Sequence, residues 1–534
     1  MNYPSIFNDV LGPVMRGPSS SHCAASLRIG RLCRDLMEGN IQKVLVEYDP
    51  NGSLATTHKG QGSDMGLFSG FLGWEAHDER LPKYLDGVNE AGIAIEIDIV
   101  ELDNKHPNTY QITLENQNEK RTLVAISTGG GMIEVLAIDG AKVSTQGDYF
   151  ETLIYTNTPE QVANYLKATI AYDEINICSG NHTFIEIKAP TFLPNNILEE
   201  LHAMEVVIAI KQLQPVLPIL ARKDLKVPFI TCEELEKYNE GKNLELWELA
   251  ARYESIRGNI SEQVVHEKMR DLVRIMQNSI NEGLKGTEYK DRILGCQSKE
   301  FQAKMQDKTL VHAEVLNEII LYVTAMMEIK SSMGVIVAAP TAGACGALPG
   351  AILGACSALN LSEDQAIKAM LVAGMIGVFI AAHATFAAEV GGCQAECGSG
   401  AGMAAAGITV LGGGTLDQSI SAASQALQNS LGMICDPIAN RVEAPCLGKN
   451  VMAASNALSC ANMALANYDH LIPLDEVIDT MDKVGKSIPN DLRCTTLGGL
   501  SITKTSKEIE KRLAENSPEL ETEIRLSPSR FKVC

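Results

Sequence analysis

The apolar positions change their spacing along the chain. Over residues 1–145 they come in short blocks. Residues 43–49 (KVLVEYD), 94–101 and 121–127 have the length and β-branched content of strands. A Gly/Ser/Thr-rich loop over 52–64 and the glycine run Gly129-Gly130-Gly131 separate or follow them. This mixture predicts an N-terminal α/β domain over residues 1–145.

The next block, 150–216, is more regular. Residues 150–156 read as a strand. Residues 158–171 open on Thr-Pro-Glu and place Val162, Leu166 and Ile170 at helical spacing. Short strands follow at 174–178 and 183–187, separated by Ser179-Gly180-Asn181-His182. A helix over 196–204 and a strand over 206–213 complete a βαββαβ order, which predicts a compact two-layer unit. With its EINICSGN…HTFIEIKAP stretch, this unit resembles the ACT domain, a module that often binds amino acids for regulation. Any ferredoxin-like domain has the same element order.

Pro215, Pro218 and Pro228 mark a linker over 217–230. Thr231 with Glu234 has the form of a capping box, and from there to residue 534 nearly every segment has helical period. Residues 263–282 and 311–330 are long periodic segments, and Ser362 with Gln365 forms a second box. Residues 334–412 are so rich in Ala and Gly that the helices there are expected to pack backbone to backbone. The fold class is therefore α+β: an α/β domain, an ACT-like βαββαβ domain and a large, mostly α-helical C-terminal domain over 231–534.

Composition narrows the function. The 534 residues carry a net charge of −21, against nucleic acid or an anionic membrane as the main partner. Residues 369–388 lack charge and are long enough to span a bilayer. Their Ala/Gly content, His383, Thr385 and the adjoining Glu389 instead predict a buried core helix. Residues 1–10 show no basic n-region and no apolar h-region, so no signal peptide is expected. The protein is expected in the cytoplasm, with its 14 cysteines reduced.

Four cysteines stand apart by context: Cys393 in GGCQAE, Cys435 in CDP, Cys446 in PCLG, and Cys534 as the last residue. Gly and Pro flanks set each of the first three at a turn or helix end, where free backbone amides favour thiolate and metal binding. Soft thiolates suit zinc or an iron–sulfur cluster. Spacing alone favours buried structural cysteines over a cluster. Ser19–His22, Ser127–Gly131 and Pro340–Gly346 offer hydroxyls and backbone amides on turns, although such clusters are ordinarily loops.

Seven ordered motifs decide between these readings. They are MRGPSSSH ending at His22, GSLA at 52–55 with KGQGSD at 59–64, His106-Pro-Asn108, STGGG at 127–131, APTAGACG at 339–346, GCQAE at 392–396, and Cys435-Asp-Pro with Pro445-Cys446. Together the chain resembles the iron–sulfur-dependent L-serine dehydratases (L-serine ammonia-lyases) in their single-chain form, with an N-terminal beta-type and a C-terminal alpha-type part. The resemblance implies deamination of L-serine to pyruvate and ammonia, in amino-acid catabolism and gluconeogenesis. It implies a [4Fe–4S] cluster on Cys393, Cys435 and Cys446, whose remaining iron acts as a Lewis acid on the leaving hydroxyl. It also implies Cys534 as a fourth ligand. As the chain end, Cys534 presents a carboxylate, a Cα and a sulfur-bearing Cβ, so it is expected to cap the open iron as a tethered substrate look-alike.

On the same basis Ser19, Ser20, Ser21, Ser53, Gly129, Gly130, Thr341, Gly343 and Ala344 are the expected substrate contacts. His22, His58 and His106 are the expected bases. Gln61 stands where the resemblance expects a histidine, and Ala342 where it expects an asparagine. Substrate choice and the base are thus less determined than the cluster. The alternatives are a related β-elimination on L-threonine or L-cysteine, or a non-catalytic amino-acid sensor. The expected partners are the amino-acid substrate, a regulatory amino acid at the ACT-like domain, and a second copy in a homodimer.

Overall fold

The computed structural model describes residues 3–515 and the backbone of 525–526; Cys534 lies outside the described residues. The expected α+β architecture is present. A seven-stranded sheet has the order Arg525–Leu526, Ala94–Ile99, Lys43–Tyr48, Thr109–Glu115, Lys120–Gly129, Met132–Ile138, Ala141–Thr145. Lys43–Tyr48 runs parallel to Ala94–Ile99, and the strands from Lys43–Tyr48 onward alternate in direction. The expected strands at 43–49, 94–101 and 121–127 are there, and four more extend the sheet. The Gly129–Gly131 run forms the tight turn into Met132–Ile138, with all three glycines at positive φ.

The expected loop at 52–64 is instead partly helical. It contains the turn Leu54–Thr57 and the start of the helix Ser63–Phe71. A four-residue turn shows no period. Ser63–Phe71 is buried all round, so it has no polar stripe to betray it. This helix crosses Ala25–Leu36 so closely that a Cβ on Gly66 would lie 2.0 Å from the Cys23 carbonyl oxygen. Both helices pack Ile29, Leu32, Leu67 and Phe68 into one core with Val44, Val46, Tyr110 and Ile112 of the sheet.

The βαββαβ unit is Phe150–Thr156, Pro159–Thr169, Glu174–Ser179, Thr183–Ala189, Asn195–Ala203 and Val207–Leu213. Its four strands are antiparallel, in spatial order fourth, first, third, second. The two-residue strand period divides its faces. Leu153, Tyr155 and Phe184 join the core of the larger sheet, whereas Ile154, Ile185 and Ile187 meet the unit's own helices.

The remainder is helical. Thr231 caps Cys232–Asn239 through the Glu234 N–H, but the Glu234 carboxylate reaches back to the Ile230 N–H rather than to Thr231, so only half of the expected box forms. The box at Ser362 and Gln365 is complete. It opens Glu363–His383, the helix holding most of the chargeless stretch. This is the one helix among the described residues long and apolar enough to cross a membrane, yet 78% of its apolar window is buried inside the protein. It packs against Leu246–Gly258, Glu262–Leu284 and Ser399–Leu411 as a core helix.

The first residues of the chain also belong to this helical body. Ser5 caps the turn Ile6–Val10, and Glu254 accepts from Ser5 Oγ at 2.5 Å and from the Ile6 N–H at 2.7 Å. Asn8 and Ile219 exchange two hydrogen bonds. Val14–Met15 pairs with Ile336–Val337. A Cβ on Gly377 would sit 2.1 Å from Val10 Cγ1, so this turn presses directly on the central helix. The strap brings residues 16–24 of the N-terminal domain over the 339–347 loop.

Candidate functional site

Each expected thiol inside the described residues lies at an element boundary, as its flanks require. Cys393 follows Gly392 (φ +71) and leads through the turn Gln394–Gly398 into the helix Ser399–Leu411. Cys435 makes a one-residue bridge to Arg493, and Cys446 opens the helix Cys446–Leu465 directly after Pro445. All three are buried. Cys393 Sγ, Cys435 Sγ and a carboxylate oxygen of Glu396 lie within 4.8 Å of one another. Cys446 stands close enough for the charge on Cys393 to act on it. Two further thiols join the group: Cys397 hydrogen-bonds to Cys393, and Cys494 hydrogen-bonds to Cys435.

The thiols differ in their hold on protons. Hydrogen bonds from Cys397 and Cys435, aided by the Lys449 ammonium, bring Cys393 well below the usual thiol range. Donation to Cys393 pushes Cys397 and Cys435 up, as burial does, and burial pushes Cys446 up. Burial, then the charge on Cys393, raises Glu396 to about 8. Lys449 is anchored by Asp436 Oδ1 at 2.7 Å and by the Ile434 carbonyl at 2.8 Å. Asn450 ties the 339–347 loop to this group. Its Nδ2 donates to the carbonyls of Gly343 and Cys446, both at 2.8 Å, and to Cys397 Sγ at 3.6 Å. Its Oδ1 accepts from the Gly346 and Ala347 N–H groups, which open the helix Ala347–Leu359. A buried set of thiols with one neighbouring ammonium suits a soft, electron-rich metal centre such as an iron–sulfur cluster.

The N-terminal domain supplies a second network. Thr57 Oγ1 donates to the Ser53 carbonyl at 2.6 Å, so it accepts from His22 Nε2 at 2.8 Å. Ser21 Oγ donates to Glu389 Oε1 at 2.7 Å. That leaves the Ser19 hydroxyl to donate to His22 Nδ1 at 3.0 Å. These directions make His22 a neutral imidazole, in agreement with the lowering of its pKa by burial. Glu389 Oε1 is 3.3 Å from His22 Nδ1, while Glu389 Oε2 is buried without a partner. Asn108, at both side-chain atoms, and Ser127 Oγ are likewise buried and unpartnered. Such orphans are costly unless a ligand completes them.

The other expected site residues fall as follows. Ser20 Oγ accepts from the Ala342 N–H at 3.1 Å. Thr341 Oγ1 donates to Glu396 Oε1 at 2.6 Å and accepts from the Ala344 N–H at 3.2 Å. Gly343 is so close to Glu396 that a Cβ would meet Oε1 at 2.8 Å. Gly129 touches Ala387, two residues before Glu389, and Gly130 faces the Pro340 carbonyl. Ser53 Oγ donates to the Cys494 carbonyl at 3.2 Å. Thus the serine turn, the glycine turn, the 339–347 loop and the thiols converge. His106 Nδ1 accepts from the Asn108 N–H at 3.2 Å, so its proton sits on Nε2, and burial lowers its pKa. His58 is turned to Asp64 at 2.8 Å, whose charge raises its pKa against the cost of burial. Gln61 faces Asn440 and Cys494.

Sequence reasoning missed Glu389, Glu396, Lys449, Asn450 and Cys494 as members of this site. Glu396 and Glu389 lie within four residues of Cys393, and Lys449 and Asn450 follow Cys446 by one helical turn. That adjacency was the available signal. Cys494 had none, because only the tertiary bridge to Cys435 brings it in.

Fold and site together define a two-part protein with a buried thiol centre roofed by an α/β domain, and known proteins of this build can be identified. The family model described as "Serine dehydratase alpha chain" matches residues 241–501. The chain is 35% identical over 284 residues to "L-serine dehydratase, alpha chain" of Peptoniphilus asaccharolyticus, covering 53% of this chain and 97% of that one. It is 33% identical over 221 residues to "Probable L-serine dehydratase, beta chain" of Bacillus subtilis (strain 168), covering 40% and 99%. It is 26% identical over 503 residues to "L-serine dehydratase" of Helicobacter pylori (strain ATCC 700392 / 26695), covering 91% and 96%. The chain belongs to the L-serine dehydratase family.

Proposed function

We propose that the chain is a lyase converting L-serine to pyruvate and ammonia, with a [4Fe–4S] cluster held by Cys393, Cys435 and Cys446. The observation that carries this reading is the meeting of those buried thiols with the unpartnered Glu389 oxygen beneath the serine turn. Such a cluster, when bound, supplies Lewis acidity for a leaving hydroxyl at an iron not saturated by protein thiolates.

The chain's own residues account for the rest. Glu389 Oε2 takes the weakly acidic Cα proton. Ser21, donating to Oε1, fixes the carboxylate's orientation, and neutral His22 positions Ser19 from behind. Asn108 and Ser127 complete their hydrogen bonding on the substrate's carboxylate and ammonium. His106, with its proton on Nε2, serves as a donor to the same end of the substrate. Burial of these groups strengthens each contact by excluding water. The aminoacrylate released tautomerises and hydrolyses to pyruvate and ammonia.

The test is anaerobic. Freshly purified protein is expected to carry about four irons and four sulfides per chain and to form pyruvate from L-serine. Cys435→Ser is expected to lose both metal and turnover. An iron-free preparation that deaminates serine at the rate of the loaded one would overturn the reading.

A further inference from the structure

A cavity of about 480 Å³, lined by none of the thiols, lies where the two parts of the chain meet. Its walls come from the strap at 11–14, the helix Ala25–Leu36, the linker at 215–218 and the helix Glu262–Leu284. Leu11, Leu27, Leu217 and Ile275 give it apolar surface. The charges set into that surface do not balance. Arg31 is spent on Glu75, with Nη1 at 2.8 and 2.9 Å from the two carboxylate oxygens. Arg28 and Lys268 then face Asp271 alone, which is exposed. With His77 counted as neutral, one positive charge is left over.

Arg28 is the unusual member. It is only 6% exposed, yet it has no ion-pair partner among the described residues. Nη1 donates to the Gly131 carbonyl at 2.6 Å and touches Met132 Sδ at 3.8 Å. Among the described residues nothing accepts from Nε or Nη2. Asp9 and Glu75 act on it only through space. A buried guanidinium without a carboxylate is costly, and the cavity beside it has room for the missing anion. Arg28 also connects the cavity to the functional site. The carbonyl it holds belongs to the glycine turn, in which Gly129 touches Ala387 and Gly130 faces the Pro340 carbonyl. Its helix begins directly after the serine turn Ser20–Ala24.

We infer that this cavity is a regulatory site for a monocarboxylate with an apolar tail of about five or six carbons. The carboxylate accepts from Arg28 Nε and Nη2 and from the Lys268 ammonium, and the tail lies against Leu27 and Ile275. Nη1 stays on Gly131. A 2-oxo acid and the matching amino acid share this carboxylate and tail, but the amino acid would add an ammonium beside two unpaired cations. The anion is therefore the preferred form. Bridging strap, helix and linker, it binds best when the α/β domain is seated on the helical body, and so favours serine binding. The site stands without the reaction proposed above; only its effect on serine turnover rests on that reading.

The experiment is anaerobic isothermal titration calorimetry of the full-length protein with 4-methyl-2-oxopentanoate, L-leucine and acetate. The first is expected to bind with a Kd below about 1 mM, and the other two at least about tenfold more weakly. Arg28→Met and Lys268→Met are expected to weaken binding at least about tenfold, and Leu272→Trp, which fills the cavity, to abolish it. Lys268 is only partly buried, so Lys268→Met decides the point even where Arg28→Met does not fold. The KM for serine is expected to fall at least about fivefold in saturating 4-methyl-2-oxopentanoate. Binding that is unchanged in Lys268→Met and Leu272→Trp places the ligand elsewhere and overturns the inference, as does the absence of heat with all three compounds. Tighter binding of L-leucine refutes the charge argument, and a serine KM indifferent to the bound ligand removes the regulatory role. If the protein does not turn over serine at all, the reading of its function fails while the calorimetry still decides the site.

Discussion

Asn450 offers the sharpest test of how the helical body holds the site together. It is fully buried, and its Oδ1 is the acceptor for the Gly346 and Ala347 N–H groups at the start of the helix Ala347–Leu359, whose own capping residue has no side chain to offer. Its Nδ2 satisfies the Gly343 carbonyl. Asn450→Ala therefore strands the Gly346 N–H and the Gly343 carbonyl in the interior, while the Ala347 N–H keeps its Ala344 acceptor. At about 1–3 kcal/mol per buried unsatisfied group, with partial relief from entering water, the loss is about 2–5 kcal/mol. Urea denaturation of the metal-free protein, followed by far-UV circular dichroism, measures it. Asn450→Asp separates the two halves of the argument. The carboxylate keeps the acceptor role and favours the helix start. It loses the donors and sets a negative charge beside the thiols. Asn450→Asp is expected to cost about half as much stability on the same grounds and yet to retain less iron than Asn450→Ala. If Asn450→Ala unfolds within about 1 kcal/mol of wild type, below even one unsatisfied group, the capping role is refuted.

Three further outcomes are expected. Glu389→Gln keeps the Ser21 contact but cannot take a proton, so kcat for pyruvate formation should fall about 100-fold or more with KM within about threefold; an unchanged kcat removes Glu389 as the base. Glu151 is buried between the two sheets with one oxygen unpartnered, opposite Lys188 on the neighbouring strand, and burial raises its pKa to about 8. The folded protein then holds a proton that the unfolded chain releases near its ordinary pKa, so stability falls as pH rises from about 4.5 to about 8, by at most about 5 kcal/mol. Glu151→Gln should lack this slope, and parallel stability–pH curves for the two proteins would contradict the assignment. Gly66→Ala drives a methyl into the Cys23 carbonyl and so spreads the two helices that carry the serine turn; a loss of at least about 2 kcal/mol is expected in thermal unfolding, with KM for serine rising.

The sequence made the βαββαβ unit readable because its strands are short and apolar and its helices begin on clear start signals. The thiol positions were readable for a related reason. Gly392, Pro437 and Pro445 each forbid a helix interior, so their cysteines had to lie at boundaries. Residues 54–57 and 63–71 were not readable as helix, since a single turn has no period and a helix buried on every side has no stripe. Glu389 carried a local clue, sitting as an acid after a long apolar helix, but its meaning depends on Ser21, which is 368 residues away. Cys494 looked like any other small core residue. Its place beside the other thiols comes from two backbone hydrogen bonds made by residue 435 that no local pattern announces.

The anchoring of residues 5–15 to the helical body has a consequence for biosynthesis. Ile6 and Val10 wait for partners on the helix Glu363–His383, so they leave the ribosome well before the helix that buries them. At translation rates of 5–20 residues per second, that interval is about 20–70 s. Throughout it an apolar stretch stays uncovered, a natural handle for chaperones and a point where crowded expression invites aggregation.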